Sequence, residues 1–157
     1  IQQYLSDRDP DVDAIYRLTH QEKNIKFLKK KSLAISKNTF TTFNSQNTRW
    51  FKFSFPLLYL PTNCSFRSCD IWRSLIALRI LHFNNMSLTY SSATNLQNRN
   101  IHNIFDDFKD EIPFYLKNKK IIEIIYSLKL KKGKNNIILS MKLYISILEK
   151  TVCTVTI

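Results

Sequence analysis

From Asp70 to Phe83, apolar side chains cover most of a helical circumference, with Ile71, Trp72, Leu75, Ile76, Leu78, Ile80 and Leu81 in the run and Ser68 or Asp70 placed to cap its start. A helix so apolar must be buried, and it is the expected centre of the core. Asn100 to Glu111 sets Ile101, Ile104, Phe105 and Phe108 at i, i+3, i+4, i+7 spacing, which predicts a helix burying that face and ending at Pro113. Lys119–Lys131 and Ile137–Leu148 predict two further helices, separated by the sole glycine, Gly133, in a Lys-Lys-Gly-Lys-Asn-Asn turn. Apolar alternation predicts strands at Ala14–Leu18 and Met86–Ser92. Residues 38–62 read as a strand at Thr39–Phe43, a polar loop at Asn44–Thr48, a short helix or turn through Trp50–Phe55, and a strand at Leu57–Leu60 before Pro61. Residues 1–13, with Asp7, Asp9, Asp11 and Asp13 around Pro10, read as an acidic loop, and the lysine-rich residues 21–37 as a surface connection. Strands and helices in roughly alternating order predict an α/β layered fold.

Composition narrows this picture. With 157 residues, 44% of them hydrophobic, the chain can form one domain or part of one around a real core. One glycine and four prolines exclude a collagen-like chain, a glycine-rich phosphate loop and a many-turned β-sandwich. The longest apolar stretches are broken by Lys142 and by Arg73 and Arg79, so none reaches the roughly 18 residues of a membrane span. The chain opens on Ile rather than Met and is read as an excerpt, whose preceding segment could carry a signal or an anchor. The formal charge of +12 is concentrated in lysines; residues 117–134 hold seven against one Glu. They could attract polyphosphate or an anionic surface, or form the solvated shoulders of an amphipathic helix built on Ile121, Ile122, Ile124, Ile125 and Leu128. No helix-turn-helix, zinc finger or RNP-like strand accompanies them, so nucleic acid is not the expected partner.

Several groupings could carry chemistry. Asp11-Val12-Asp13 could hold a hard divalent cation, or form a solvated acidic turn partly neutralised by Arg8. Asp70, at the predicted helix start, is either a cap whose ionised form the helix dipole favours or a general base facing a cleft. Gln97-Asn98-Arg99-Asn100-Ile101-His102-Asn103 gathers amide, guanidinium and imidazole groups that could face a phosphate or sugar hydroxyls, or simply cap a helix. Asn44-Ser45-Gln46-Asn47-Thr48 is similarly rich in partners for sugars. Cys64 and Cys69 could close a small disulfide loop or remain thiols. Asn63-Cys64-Ser65 and Asn85-Met86-Ser87 satisfy the N-glycosylation triplet.

Taken in order, Asp9-Pro10-Asp11-Val12-Asp13-Ala14-Ile15-Tyr16-Arg17-Leu18-Thr19, Phe43-Asn44-Ser45-Gln46-Asn47-Thr48, Asp70-Ile71-Trp72-Arg73-Ser74 and Gln97 to Asn103 with Asp107-Phe108 and Glu111 resemble the STELLO-like glycosyltransferase family. Cys69-Asp70-Ile71-Trp72-Arg73-Ser74-Leu75 is more weakly similar to the Asp-Asp-hydrophobic helix start of exostosin-like glycosyltransferases and plant reversibly glycosylated polypeptides, with Cys69 at the first acidic position. The resemblance implies the C-terminal, acceptor-side part of a glycosyltransferase-A-type mixed sheet followed by helices. It gives a partial domain over residues 1–148 lacking the N-terminal nucleotide-binding half, and an unassigned tail at 149–157. It implies a protein of the secretory pathway, in the Golgi lumen as part of a type II membrane protein anchored outside this chain. Its substrates would be a sugar nucleotide and a glycan or protein acceptor, and the piece alone would be inactive. Asp70 would be catalytic, and Arg17, Asn44, Gln46, Asn47, Arg73, Arg99, Asn100 and His102 would line a phosphate- and sugar-binding cleft. The implied cofactor is a divalent cation, manganese, with no ligand assignable in this stretch. The alternative reading is a non-catalytic scaffold for a polysaccharide synthase complex, and a lesser one a basic nucleic-acid-binding module.

Overall fold

A computed structural model describes residues 1–20, 24–37, 39–62 and 64–151, the side chain of Thr151 excepted. Asn63 of the first glycosylation triplet, residues 21–23 of the lysine-rich connection and residues 152–157 of the tail lie outside the described residues.

The architecture is mixed α/β. Among the described residues, four strands, β1 (Gln2–Arg8), β2 (Leu33–Ala34), β3 (Thr48–Arg49) and β4 (Thr89–Gln97), form one sheet in the order β2-β4-β1-β3. β1 and β4 run parallel at its centre, in register from Gln2 with Thr89 to Arg8 with Gln97, with an irregularity between Tyr4 and Ser6. β3 pairs antiparallel with β1, and β2 antiparallel with β4. The opening segment is therefore the central strand and not the acidic loop expected from its composition. Its polar residues hide it, and the amides of Gln2 and Gln3 are satisfied in place. Buried Gln3 donates from Nε2 to Asn44 Oδ1 (3.2 Å) and accepts at Oε1 from Thr48 Oγ1 (2.7 Å), while Gln2 Nε2 donates to Ser91 Oγ (3.0 Å). Side-chain bonds of this kind remove most of the cost of burying an amide.

α1 (Ala14–Thr19) is a helix where alternation predicted a strand. A run of five residues fits both periods, and Asp13 decides between them: its carboxylate accepts from the N–H of Tyr16 (2.7 Å) and caps the first turn. The strands expected at Thr39–Phe43 and Leu57–Leu60 do not form; the first has no regular structure, and a 3-10 helix spans Lys52–Leu58. β4 begins three residues later than predicted, because Asn85 at φ +58° turns the chain after the preceding helix.

That preceding helix, α2 (Phe66–Phe83), starts four residues before the predicted point, with Ser65 as N-cap. Trp72, Leu75, Ile76, Ala77, Leu78, Ile80 and Leu81 are all buried. Around them gather Ile1, Ile35, Leu57 and Leu88, together with Ile121 and Ile125 of α3 (Ile104–Ser127) and Ile137, Met141, Tyr144 and Leu148 of α4 (Lys134–Thr151). Full burial of one such aliphatic side chain stabilises by about 1.5–3 kcal/mol.

Two further expectations are corrected in α3. The helix continues through Pro113, so the segments predicted at 100–111 and 119–131 are one helix. Packing of Ile121 and Ile125 beyond the proline, and the bonds of Glu111 before it, outweigh a missing backbone donor that ordinarily costs about 3 kcal/mol. The buried face of its first half is also rotated from the predicted one: Asp107 and Glu111 are buried, Ile104 and Phe108 are partly buried beside them, and Phe105 is exposed, as is Ile101 just before the helix. Beyond Pro113 the lysines do flank buried isoleucines as solvated shoulders, Lys119 and Lys120 being exposed beside Ile121. Gly133, at φ +112°, adopts a conformation that L side chains rarely take, and it forms the turn into α4, which runs past 148 to Thr151. Among the described residues, no helix is long and apolar enough to cross a membrane.

Candidate functional site

A cavity of about 480 Å³ opens beyond the end of β1, between the loop at Asp11–Asp13, α1, residues 42–45, the first half of α2 and the middle of α3. Its volume lies within the range of small-molecule sites, roughly 300–1,000 Å³. Its position follows a general rule for open α/β sheets, in which ligands bind beyond the carboxyl ends of parallel strands.

Asp70 lies on the cavity wall, half-buried, as the fifth residue of α2. It is not at the helix start, so the expected dipole stabilisation of its charge does not operate. Burial pushes its carboxyl above the usual carboxylate range, against the N–H of Ser45, which donates to Oδ2 at 2.9 Å, and the charge of Arg73; Asp11 adds to the rise. Ser45 also accepts at Oγ from Arg73 Nη2 (2.9 Å). Arg73 is buried beneath this contact, with its guanidinium 4.7 Å from the ring centre of Trp50 and 5.6 Å from that of Phe43. Burial lowers its pKa, an effect Asp70 partly offsets. Beside Asp70, burial and then the Asp70 charge push the Cys69 thiol up, which keeps it protonated.

The opposite wall is held by an ionic network. Glu111 accepts from Arg67 Nη2 (2.5 Å) and Nε (3.1 Å) at Oε1, and from the N–H of Ala14 (2.9 Å) and the hydroxyl of Tyr115 (2.8 Å) at Oε2. One carboxylate thereby joins α1, α2 and α3. Arg67 also reaches Asp107 (3.7 Å) and Asp11 (3.5 Å), and Arg99 bridges Asp11 (3.2 Å) and Asp107 (3.3 Å). Burial alone would lower the Arg67 pKa, but the bond to Glu111 and the charges of Asp107, Glu111 and Asp11 raise it overall. Burial, with the Glu111 bond and charge, drives the Tyr115 phenol well above its usual range, so it remains a neutral donor.

Of the residues expected to be catalytic or to bind substrate, Asp70 and Asn44 line the cavity, and Asp11, Asp13, Ser45 and Glu111 of the quoted motifs join them. Gln46 Oε1 accepts from the N–H of Asp11 (3.2 Å), and Asn47 Nδ2 donates to Leu5 O, Thr94 Oγ1 and Asn95 Oδ1, so these two amides brace the loop. Arg73 stands behind Ser45. Arg17 is turned to Asp9 (2.7 Å) and the carbonyl of Pro10 (2.6 Å), Arg99 is held between carboxylates, and His102 lies 3.8 Å from Asp107; none of the three lines this cavity, and Asn100 is exposed. Arg8 donates to Asn98 rather than neutralising the acidic triplet, a task that falls to Arg67 and Arg99. Sequence reasoning passed over Arg67 and the aromatic lining formed by Tyr16, Phe66, Phe114 and Tyr115. Glu111 and Tyr115, four residues apart on one helix face, were a signal for the network, but the apolar stripe on the other face obscured it. The thiols of Cys64 and Cys69 donate separately to the carbonyls of Pro61 and Phe66.

The acidic triplet does not fit a cation. Asp11 is taken by two guanidinium groups and Asp13 by its helix-capping bond, and among the described residues no three His, Cys, Asp or Glu side chains are gathered as metal ligands.

The family model described as STELLO glycosyltransferases matches residues 67–153, more than half of the chain, from Arg67 through α3 and α4. No curated protein matches the sequence.

Proposed function

The chain belongs to the STELLO glycosyltransferase family, and from that premise we propose that the cleft beside Asp70 is the acceptor side of a sugar-transfer site. The observation that carries this reading is a carboxylate with a raised pKa on the wall of a cavity large enough for a sugar ring. A base works best when its pKa approaches the working pH, and burial moves Asp70 in that direction. In the proposed step, an acceptor hydroxyl donates to Asp70 and gives up its proton as its oxygen bonds to the anomeric carbon of the donor. The bond from that carbon to the nucleotide diphosphate breaks, and its electron pair leaves with the diphosphate. Ser45, through its N–H, fixes the orientation of the carboxylate.

The reading assigns the donor nucleotide, and any manganese that accompanies it, to a part of the protein other than this cleft. A glycan or glycoprotein acceptor in the secretory pathway is the substrate class proposed.

The test is transfer by the full-length gene product, assayed with manganese, a panel of sugar nucleotides and glycan acceptors. Asp70→Asn is expected to lower the rate about 10²–10⁴-fold, the usual contribution of a general base. Undiminished transfer in that variant would remove Asp70 from the chemistry.

A further inference from the structure

Four aromatic residues and four carboxylates line the same cavity. Tyr16, Phe66, Phe114 and Tyr115 supply rings; Asp11, Asp13, Asp70 and Glu111 supply acidic groups, and Arg67 is the one basic residue of the lining among the described residues. Phe66 is 89% exposed although it belongs to the first turn of the most buried helix of the fold. Phe66 shares this lining with Tyr16, Phe114 and Tyr115, and several rings gathered on one concave surface, unlike a single exposed side chain, mark a place for an apolar partner. Tyr16 is pre-set on another part of the lining, its ring stacked on His20 at 4.3 Å between centroids and 7° between planes.

A pyranose has the complementary chemistry. Its C–H faces are apolar and lie flat on aromatic rings, and its hydroxyl rim donates to carboxylate oxygens. The charge of the lining decides which sugars enter. In a chain of formal charge +12, the described residues of this lining hold four carboxylates against one guanidinium; Arg67 and Arg99 neutralise Glu111 and Asp11, so Asp13, held by a main-chain N–H, and Asp70 supply the charge an entering group meets. An anionic group brought among them meets like charge at short range in a partly water-excluded space.

We propose that the cleft selects a neutral saccharide as acceptor, with Phe66 and Tyr16 as stacking surfaces and the carboxylates excluding uronates and phosphorylated sugars. This rests on the acceptor-side reading and adds the substrate class. It also reverses the phosphate-binding character expected of the cleft from its neighbouring arginines, which face carboxylates or lie beneath Ser45.

Binding can be read without turnover, by saturation-transfer NMR and competition titration on the whole protein. The probes are cellobiose and mannobiose as neutral sugars, digalacturonate and glucose 6-phosphate as anionic ones, and the glucosamine disaccharide as a cationic one. The neutral disaccharides are expected to bind with saturation transfer to their ring protons, and the anionic probes at least about tenfold more weakly, the consequence of a like-charge penalty near 1.4 kcal/mol. Phe66→Ala should weaken the neutral probes about fivefold and Phe66→Tyr should restore them, as stacking predicts. Asp13→Asn keeps a good helix cap while removing one charge, and should raise the affinity of digalacturonate relative to cellobiose. Equal binding of neutral and anionic probes, an amine bound no better than digalacturonate, indifference to Phe66→Ala, or no saccharide binding at all would each overturn the proposal. Neutral-selective binding without any transfer would count against Asp70 as base and leave the selectivity standing. Transfer to a uronate acceptor would do the reverse.

Discussion

The N–H of Ser45 meets the carboxylate of Asp70 at 2.9 Å, and the hydroxyl of the same serine accepts from buried Arg73, also at 2.9 Å. A single small residue thus stands between the acid on the cavity wall and the base beneath it. It presents a donor to the anion and an acceptor to the cation. Ser45→Ala keeps the bond to Asp70 but leaves Arg73 without its hydroxyl acceptor, and a loss of about 1–3 kcal/mol is expected in urea denaturation, the penalty for a buried donor deprived of its partner. An unchanged midpoint would show that water replaces the hydroxyl.

Asp70 should weaken the fold that carries it. A carboxyl whose pKa is raised on folding costs stability when ionised; that cost is complete above the folded pKa and disappears as the pH falls below the unfolded one, about 3.9. Asp70→Asn is therefore expected to raise the thermal midpoint at pH 7. The advantage over wild type should close as the pH is brought down through the carboxylate range. A variant less stable than wild type at pH 7 would show that the Ser45 bond and Arg73 outweigh burial.

Glu111 should behave in the opposite way. It is buried and accepts from a guanidinium, a main-chain N–H and a phenol, so Glu111→Ala takes from Arg67 its closest partner, leaving the longer contacts to Asp107 and Asp11, and unpairs two further donors; it is expected to cost about 3–5 kcal/mol. The double change Arg67→Met with Glu111→Leu should recover much of that loss, since removing both charges removes the unpaired one. Chemical denaturation of the two single variants and the double variant gives the coupling directly. Strict additivity would contradict the network.

Much of the helical framework was legible in advance, and the reasons differ from element to element. α2 was readable because burial on all sides leaves an apolar run that no other element imitates, and its C-terminal end falls at Phe83 as predicted. α4 and the Gly133 turn were readable from period and from the lone residue able to take φ +112°. β1 was not, because Gln3 is buried in it and its amide finds partners more than forty positions away, Asn44 and Thr48, that no local pattern reveals. The inward face of α3 was misread for a related reason: Asp107 and Glu111 are drawn inside by Arg67 and Arg99, partners that no local pattern reveals. Within the cleft, Asp70 and Asn44 could be picked out by type, whereas Phe66 looked like one more apolar residue until its exposure was seen.

The turn at Gly133 supplies a test of backbone strain alone. A methyl group there would meet only Asn136 Nδ2 at 3.8 Å, so there is room, yet φ of +112° is unfavourable for any L side chain. Gly133→Ala is expected to cost about 1–2 kcal/mol with no change in the cavity, and Gly133→D-Ala by semisynthesis to cost little. Equal stability of the two would show that the turn relaxes to another conformation.

The secretory placement can be tested at Asn85. The Asn85-Met86-Ser87 triplet lies in the turn between α2 and β4, with Asn85 and Ser87 exposed and the side-chain Oδ1 of Asn85 accepting from Lys37 Nζ. Expression through a secretory pathway should add a glycosidase-sensitive mass that Asn85→Gln removes. Quantitative recovery without that mass would argue against lumenal passage.

The sheet has a consequence for how copies of the chain can meet. Both of its flanks are closed by strands of only two residues, β2 and β3. An incoming strand would find only a short row of main-chain groups on β2 or β3 to zip onto, so these two flanks are poor templates for strand addition. Association there would rest on side chains more than on the backbone, and it would be sensitive to point substitution in a way that amyloid-like stacking is not.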